Sequence, residues 1–297
     1  MPREDADTTG DADFGGASRR TLLRSLGAVS VVGAVAAGRW IGPWDRPFTL
    51  ARPPASTLSS ADGAGPADDS ANDQPFDADD ALATERVPTP TTALRRLVAG
   101  SVAAAELDPL TALLAEKAGL GTVVLQASGG IPAGEDPWTV ESVLAAGGDG
   151  IDSAAALGGE TVVLGAPLRA VDSLYPMAAI EEATAEPPTL RWIERGSATG
   201  AATVAGAPEA TPVVGTAARN AERAGLSIVA SAGKLPRPVI VAGNPLPAAE
   251  RERFVAAAFD AADDRQGWFG TVRRRDAAAL DAVAERAADA GIHLDAL

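Results

Sequence analysis

Cysteine is absent from all 297 residues. That excludes disulfides, thiol nucleophiles, iron–sulfur clusters, Cys-ligated zinc and a lipid anchor on an N-terminal cysteine. Histidine occurs once, at His293, so a His–Asp relay or a multi-His metal site is excluded in practice. Lysine occurs only at 117 and 234, and aromatic residues make up 4% of the chain. Cations are scarce overall: 25 basic against 40 acidic side chains leave a formal charge of −15. Binding to a nucleic-acid backbone needs clustered cations, so nucleic acid is not an expected partner.

What is present is alanine, carboxylate and ordinary aliphatic content. Hydrophobic residues are 46% and charged residues 22%, the balance of a folded soluble protein rather than a disordered one. The length suits about two domains at ~150 residues each. Dense surface carboxylates hold water when salt screens their repulsion. Together with arginine in place of lysine, they read as a protein of a high-salt environment, of the haloarchaeal kind. An ordinary acidic protein from a GC-rich genome is the alternative.

The N-terminal stretch reads as an address. Ser18-Arg19-Arg20-Thr21-Leu22-Leu23-Arg24 precedes an apolar run rich in Ala, Val and Gly from Ser25 to Gly38. Paired arginines ahead of a weakly hydrophobic segment resemble a twin-arginine export signal. Val35-Ala36-Ala37 offers small residues for cleavage, whereas Trp40, Ile41 and Trp44 extend the apolar stretch as a retained anchor would. Both readings stand.

Organisation follows from composition and periodicity. Residues 1–17 read as a disordered acidic terminus and 18–46 as signal or anchor. Residues 47–89 combine one short strand, near Phe48–Ala51, with an Ala/Asp/Ser/Gly/Pro linker that buries too little apolar area to offset its ordering. From Pro90 onward short strands alternate with helices, which predicts an α/β fold with parallel sheets. Expected strands include 122–126, 140–145, 161–164, 190–193, 212–214, 227–230 and 238–241. Expected helices include 91–99, 109–118, 176–183, 199–205, 217–224, 247–262 and 276–290.

Three stretches, in order, resemble the phosphonate-type substrate-binding proteins of ABC importers. The first runs from Ala93-Leu94-Arg95-Arg96 through Ala99-Gly100 to Glu106-Leu107-Asp108-Pro109. The second runs from Gly150-Ile151-Asp152-Ser153 through Thr161-Val162-Val163-Leu164-Gly165-Ala166-Pro167 to Ser173-Leu174-Tyr175-Pro176. The third is Leu235-Pro236-Arg237-Pro238-Val239-Ile240-Val241-Ala242 with Leu246-Pro247 and the following helix. The resemblance covers about residues 88–297. It implies a two-lobed periplasmic-binding-protein-like fold with a ligand cleft, lobe 1 from 90–150 and 231–297, lobe 2 from 151–230. Hinges would fall near 143–150 and 231–237. It also implies a monomer that binds a small molecule, presents it to an ABC permease in the membrane, and needs no cofactor or metal.

The implied pocket departs from the family pattern. Where the resembled proteins carry a Ser-Thr-Ser turn at a helix start, this chain has Arg169, Ala170 and Val171, followed by Asp172. Backbone amides and an arginine can still hold an oxyanion. Asp172 opposes that unless it caps the next helix. On the facing strand an expected aromatic is Glu106 and an expected glycine is Asp108, and an expected histidine falls near Thr199. Glu106 facing Arg169 across the cleft would form a carboxylate–guanidinium pair, and a carboxylate lining the site repels a dianion. The expected ligand is accordingly a small oxyanion or a zwitterion, bound by Arg169, Ala170, Val171, Asp172, Glu106 and Thr199. A degenerate relative acting as scaffold or sensor is the alternative function. Enzymatic chemistry is not expected, because no G-x-S-x-G elbow or other nucleophile motif occurs. Gly196–Gly200 reads as a helix entry, Gly129–Pro132 as a turn, Glu181 and Glu182 as a solvated face, and Arg273–Arg275 as surface.

Overall fold

The structure, a computed structural model, describes residues 48–53, 82–128, 136–148, 150–166, 169–193, 201, 213–244, 246–264, 271–292 and 294. The export signal, the linker at 58–81, Gly129–Pro132, Gly196–Gly200 with Thr199, and His293 lie outside the described residues.

In chain order the strands are β1 Phe48–Arg52, β2 Leu82–Arg86, β3 Ala104–Leu107, β4 Gly121–Ala127, β5 Thr139–Ala146, β6 Thr161–Leu164, β7 Thr189–Trp192, β8 Val213–Ala217, β9 Ser227–Pro236, β10 Val239–Gly243 and β11 Val272–Arg274. The helices are α1 Pro90–Val98, α2 Pro109–Lys117, α3 Tyr175–Ala183, α4 Ala218–Arg223, α5 Ala248–Asp264 and α6 Ala277–Asp289. A 3-10 turn covers Ala154–Leu157, and a π-helical turn, Ala170–Leu174, leads into α3.

Several helix starts are legible in their caps. Thr89 accepts from the Thr92 amide and Pro90 opens α1. Asp108 accepts from the Leu110 amide and Pro109 opens α2. Asp276 accepts from the Ala279 amide ahead of α6, and Gly291 (φ 72°) ends that helix. A side-chain oxygen at the N-cap satisfies an amide that the helix leaves without a partner, and proline at the first position gives up no bond.

Two sheets form. The first has the order β11-β4-β10-β3-β1-β2 and the second β7-β6-β8-β5-β9. They are mixed rather than parallel. β1 runs parallel to β2 and β3, and β6 runs parallel to β7 and β8, but β10 is antiparallel to β3 and β4. β5 is antiparallel to both β8 and β9. The reason is the route of the chain. It passes from β4 in the first sheet to β5 in the second, and returns from β9 to β10, with no helix in the described part of either passage. The two crossing strands pair with each other, Thr139 against Pro236, and the Arg237 amide donates to the Trp138 carbonyl at 3.0 Å. Both β5 and β9 therefore belong to the second sheet along their whole length.

β2 and β11 appear where the sequence suggested linker and surface. Both are edge strands. The sequences Leu-Ala-Thr-Glu-Arg and Val-Arg-Arg carry charge, which an edge tolerates and which blunts pairing with other chains.

Each sheet is covered on two faces. Phe48, Leu50, Leu125, Ile240 and Phe254 fill the space between the first sheet and α5. Val143, Ala145, Val163, Val214 and Ala221 fill the space between the second sheet and α4. The largest cluster lies on the inner faces and includes Leu107, Leu110 and Val123 together with Leu144, Leu164 and Leu174. One apolar body thus joins elements of both sheets.

Candidate functional site

The turn after β6 meets the end of β3 between the two sheets. Its shape depends on Gly165 and Gly215. A Cβ on Gly165 would stand 2.5 Å from Asp172 Cβ, and one on Gly215 would stand 2.7 Å from Pro176. Glycine lets the turn lie flat against β6 and β8. The turn is then tied by its own bonds. The Gly165 amide donates to the Asp172 carbonyl at 3.1 Å, and the Arg169 amide to the Ala166 carbonyl at 3.0 Å. Ser173 Oγ donates to the Ala166 carbonyl at 2.8 Å, and Ser142 Oγ, from β5, to the Val171 carbonyl at 2.7 Å. The Leu174 and Tyr175 amides donate to the carbonyls of Arg169 and Ala170, five residues back, which is the π-helical step.

The structure brings Arg169, Ala170, Val171 and Asp172 together on this turn, and all four are buried. Arg169 Nε lies 2.7 Å from Asp172 Oδ2 in a buried ion pair. Asp172 therefore does not cap α3, whose N-cap, Leu174, supplies no side-chain bond. It neutralises the arginine beside it.

Glu106 is held by an arginine other than Arg169. Its Oε2 accepts from Arg52 Nε at 3.1 Å, on the neighbouring strand β1. Leu50 pairs with Ala104 and Ala51 with Ala105, and the next step of the same register sets Arg52 beside Glu106. Burial pushes the Arg52 guanidinium below its ordinary value, with the Glu106 carboxylate acting in the opposite direction. The pairing was hidden because nothing in the sequence sets the register of two short strands separated by the linker.

Asp108 is the residue that bridges the two sides. Its Oδ1 accepts from the Leu110 amide at 3.0 Å and from the Ala170 amide at 2.9 Å. The first bond is readable in Asp-Pro at a helix start, whereas the second joins residues 62 apart and has no local signal. Burial pushes the Asp108 carboxyl up to about 6, against the opposing pull of Arg169 and of the two amides, and Asp172 adds to the rise. Tyr175, the only tyrosine, lies on the same side. Its hydroxyl is raised by burial and by the Asp108 charge, while Arg286, 5.8 Å over its ring, pulls it down. Gly233 (φ 115°) sits opposite that ring, where a Cβ would touch it at 3.4 Å.

Chemically the site is a polar knot inside an apolar body: one guanidinium, two carboxylates, and a backbone amide given to one of them. Among the described residues no group of three or more His, Cys, Asp or Glu could hold a metal ion. The other charged candidates are engaged at the surface. Arg273 donates to Gln126 and stacks 4.5 Å from the Trp138 ring, Arg275 pairs with Glu116, and Glu182 pairs with Arg286.

The family of ABC-transporter phosphonate periplasmic substrate-binding proteins matches residues 82–283. The chain belongs to this family. Members are binding proteins of importers rather than enzymes, and the family implies a small-molecule ligand and a permease in the membrane. No curated protein sequence matches the chain. Solved structures of similar fold include a binding-protein component of an ABC phosphonate transporter from Pseudomonas aeruginosa, with 16% identity and TM-score 0.59 over 83% of this chain and 87% of that one. Another is a Xanthomonas citri protein bound to chloride, with 16% identity and TM-score 0.59 over 84% and 99%. A third is PhnD1 from Prochlorococcus marinus in complex with methylphosphonate, with 8% identity and TM-score 0.56 over 83% and 99%. At these identities the structures establish the periplasmic-binding-protein fold. No helix among the described residues is long and apolar enough to cross a membrane.

Proposed function

We propose that this chain is the exported, monomeric solute receptor of an ABC importer, and that its ligand is a small oxyanion or zwitterion held at the turn formed by residues 169–175. One observation carries the reading. The Ala170 amide, at the start of the turn, donates to a carboxylate oxygen arriving from the end of β3. A turn that already binds one carboxylate oxygen has the chemistry to bind an oxyanion. The ligand contacts are assigned to Arg169, Ala170, Val171, Asp172, Glu106 and Thr199. The two lobes are built one on each sheet. Because β5 and β9 both pair in the second sheet, residues 139–146 and 231–236 are assigned to the second lobe rather than to the first as the sequence suggested. The hinge is assigned to the two passages beside them, near 136–138 and 237–238. Export runs through Arg19 and Arg20, with the apolar segment behind them cleaved or kept as an anchor.

Thermal shift against phosphate, phosphite, methylphosphonate, sulfonates and amino-acid zwitterions tests the ligand class. A ligand that binds the folded state alone raises the melting temperature by mass action. A rise with at least one of these solutes is expected, and a flat response to all of them overturns the assignment. Replacing both arginines by lysine, Arg19→Lys with Arg20→Lys, is expected to hold the protein inside the cell. Unchanged secretion of that variant overturns the twin-arginine route.

A further inference from the structure

Asp108 does more than a helix cap requires. A cap needs the single bond to Leu110, and serine, threonine or asparagine would supply it without a charge. Here the cap is a partly buried carboxylate, and its capping oxygen also takes the Ala170 amide from the opposite sheet at 2.9 Å. With Asp172 and Arg169 the charges around this amide sum to −1, so a free dianion approaching it meets net repulsion as well as an occupied donor.

We propose that Asp108 is the specificity-determining residue of the cleft, a tethered carboxylate seated where a ligand oxyanion would sit, so that a free anion binds at the Ala170 amide only by displacing it. The proposal rests on the placement of the ligand at the 169–175 turn. The groups facing Asp108 are Arg169 and Asp172 on the turn and Tyr175 on α3, with Arg286 of α6 against the tyrosine ring. Burial pushes the Asp108 carboxyl up to about 6, so its charge changes near that pH. Protonation removes the competing charge, so wild-type affinity for an anion rises as pH falls through that value. Arginine keeps its charge throughout and contributes no such slope.

Calorimetry on the full chain with sulfate, whose charge is constant over the range, tests this with wild type, Asp108→Asn and Asp108→Gly. At about pH 7.5 Asp108→Gly is expected to bind sulfate at least about tenfold more tightly than wild type, with Asp108→Asn between them. Wild-type affinity is expected to increase from about pH 7.5 to about pH 5, while both variants stay flat. Amide exchange at Ala170 in ligand-free protein is expected to be faster in Asp108→Gly than in wild type. Equal sulfate affinity in all three proteins, a shared pH profile, or absence of sulfate binding in all three overturns the proposal. A purely structural cap would lower the melting temperature of Asp108→Gly and leave the sulfate comparison unchanged. Failure of the receptor reading shows separately, as a wild type that responds to no solute of the panel.

Discussion

Arg52 and Glu106 stand side by side on β1 and β3, and the two side chains are 10% and 21% exposed. Removing the carboxylate leaves a guanidinium that burial already disfavours. Glu106→Ala is expected to destabilise the fold by about 3 kcal/mol, and Glu106→Gln by less because it keeps an acceptor. Denaturant titration of both variants checks the order. Asp108 carries the opposite linkage. Its folded value near 6 lies above the ordinary 3.8, so the charged form costs stability above that range. The cost is fully present above about pH 6 and disappears as pH falls toward 4. Over a shift of about two pH units it amounts to roughly 3 kcal/mol. The difference in unfolding free energy between wild type and Asp108→Asn is therefore expected to change in favour of wild type as pH drops from about 7 to about 4. A difference that is independent of pH would show that Asp108 titrates normally.

At the scale of elements, the turn between β6 and α3 depends on glycine more than on any side chain. Gly165→Ala would set a methyl group 2.5 Å from Asp172 Cβ, both of them close to backbone that cannot give way. The expected loss is about 1–3 kcal/mol, together with displacement of the Ala170 amide. Chemical denaturation measures the first effect, and the amide resonance of Ala170 reports the second. By comparison, Asp276→Ala at the start of α6 removes a single cap bond and is expected to cost about 1 kcal/mol. A Gly165→Ala protein as stable as wild type would mean that the turn relaxes without strain.

At the scale of the molecule, one apolar cluster links helices and strands on both sides of the polar knot. A core shared in this way favours a single cooperative transition, so scanning calorimetry is expected to show one peak, with calorimetric and van't Hoff enthalpies equal. Two resolved peaks would mean that the sheets unfold independently. The net charge of −15 acts on the whole chain. Screening it lessens the self-repulsion of the compact state, and the melting temperature is expected to rise from low salt to molar potassium chloride.

From Pro109 on, most strands and helices were legible from the chain alone. Runs such as Thr122–Gln126 and Thr161–Leu164, and caps such as Asp108-Pro109, act over a few residues, and local patterns record local forces. The family resemblance was legible for the same reason, because its motifs mark turns and helix starts. Edge strands β2 and β11 were not, since their charge is what a solvated edge shares with a loop. Nor were the mixed sheet directions, which depend on where the chain crosses between sheets. The site divides along the same line. Arg169, Ala170, Val171 and Asp172 are consecutive, and their common turn followed from the sequence. The partners of its charged groups did not: Arg52 for Glu106, Asp172 for Arg169 and the Ala170 amide for Asp108. Burial removes water as the alternative partner, so each buried charge takes whichever group packing sets within bonding distance. That distance exists only once β3 and the turn after β6 have been brought face to face.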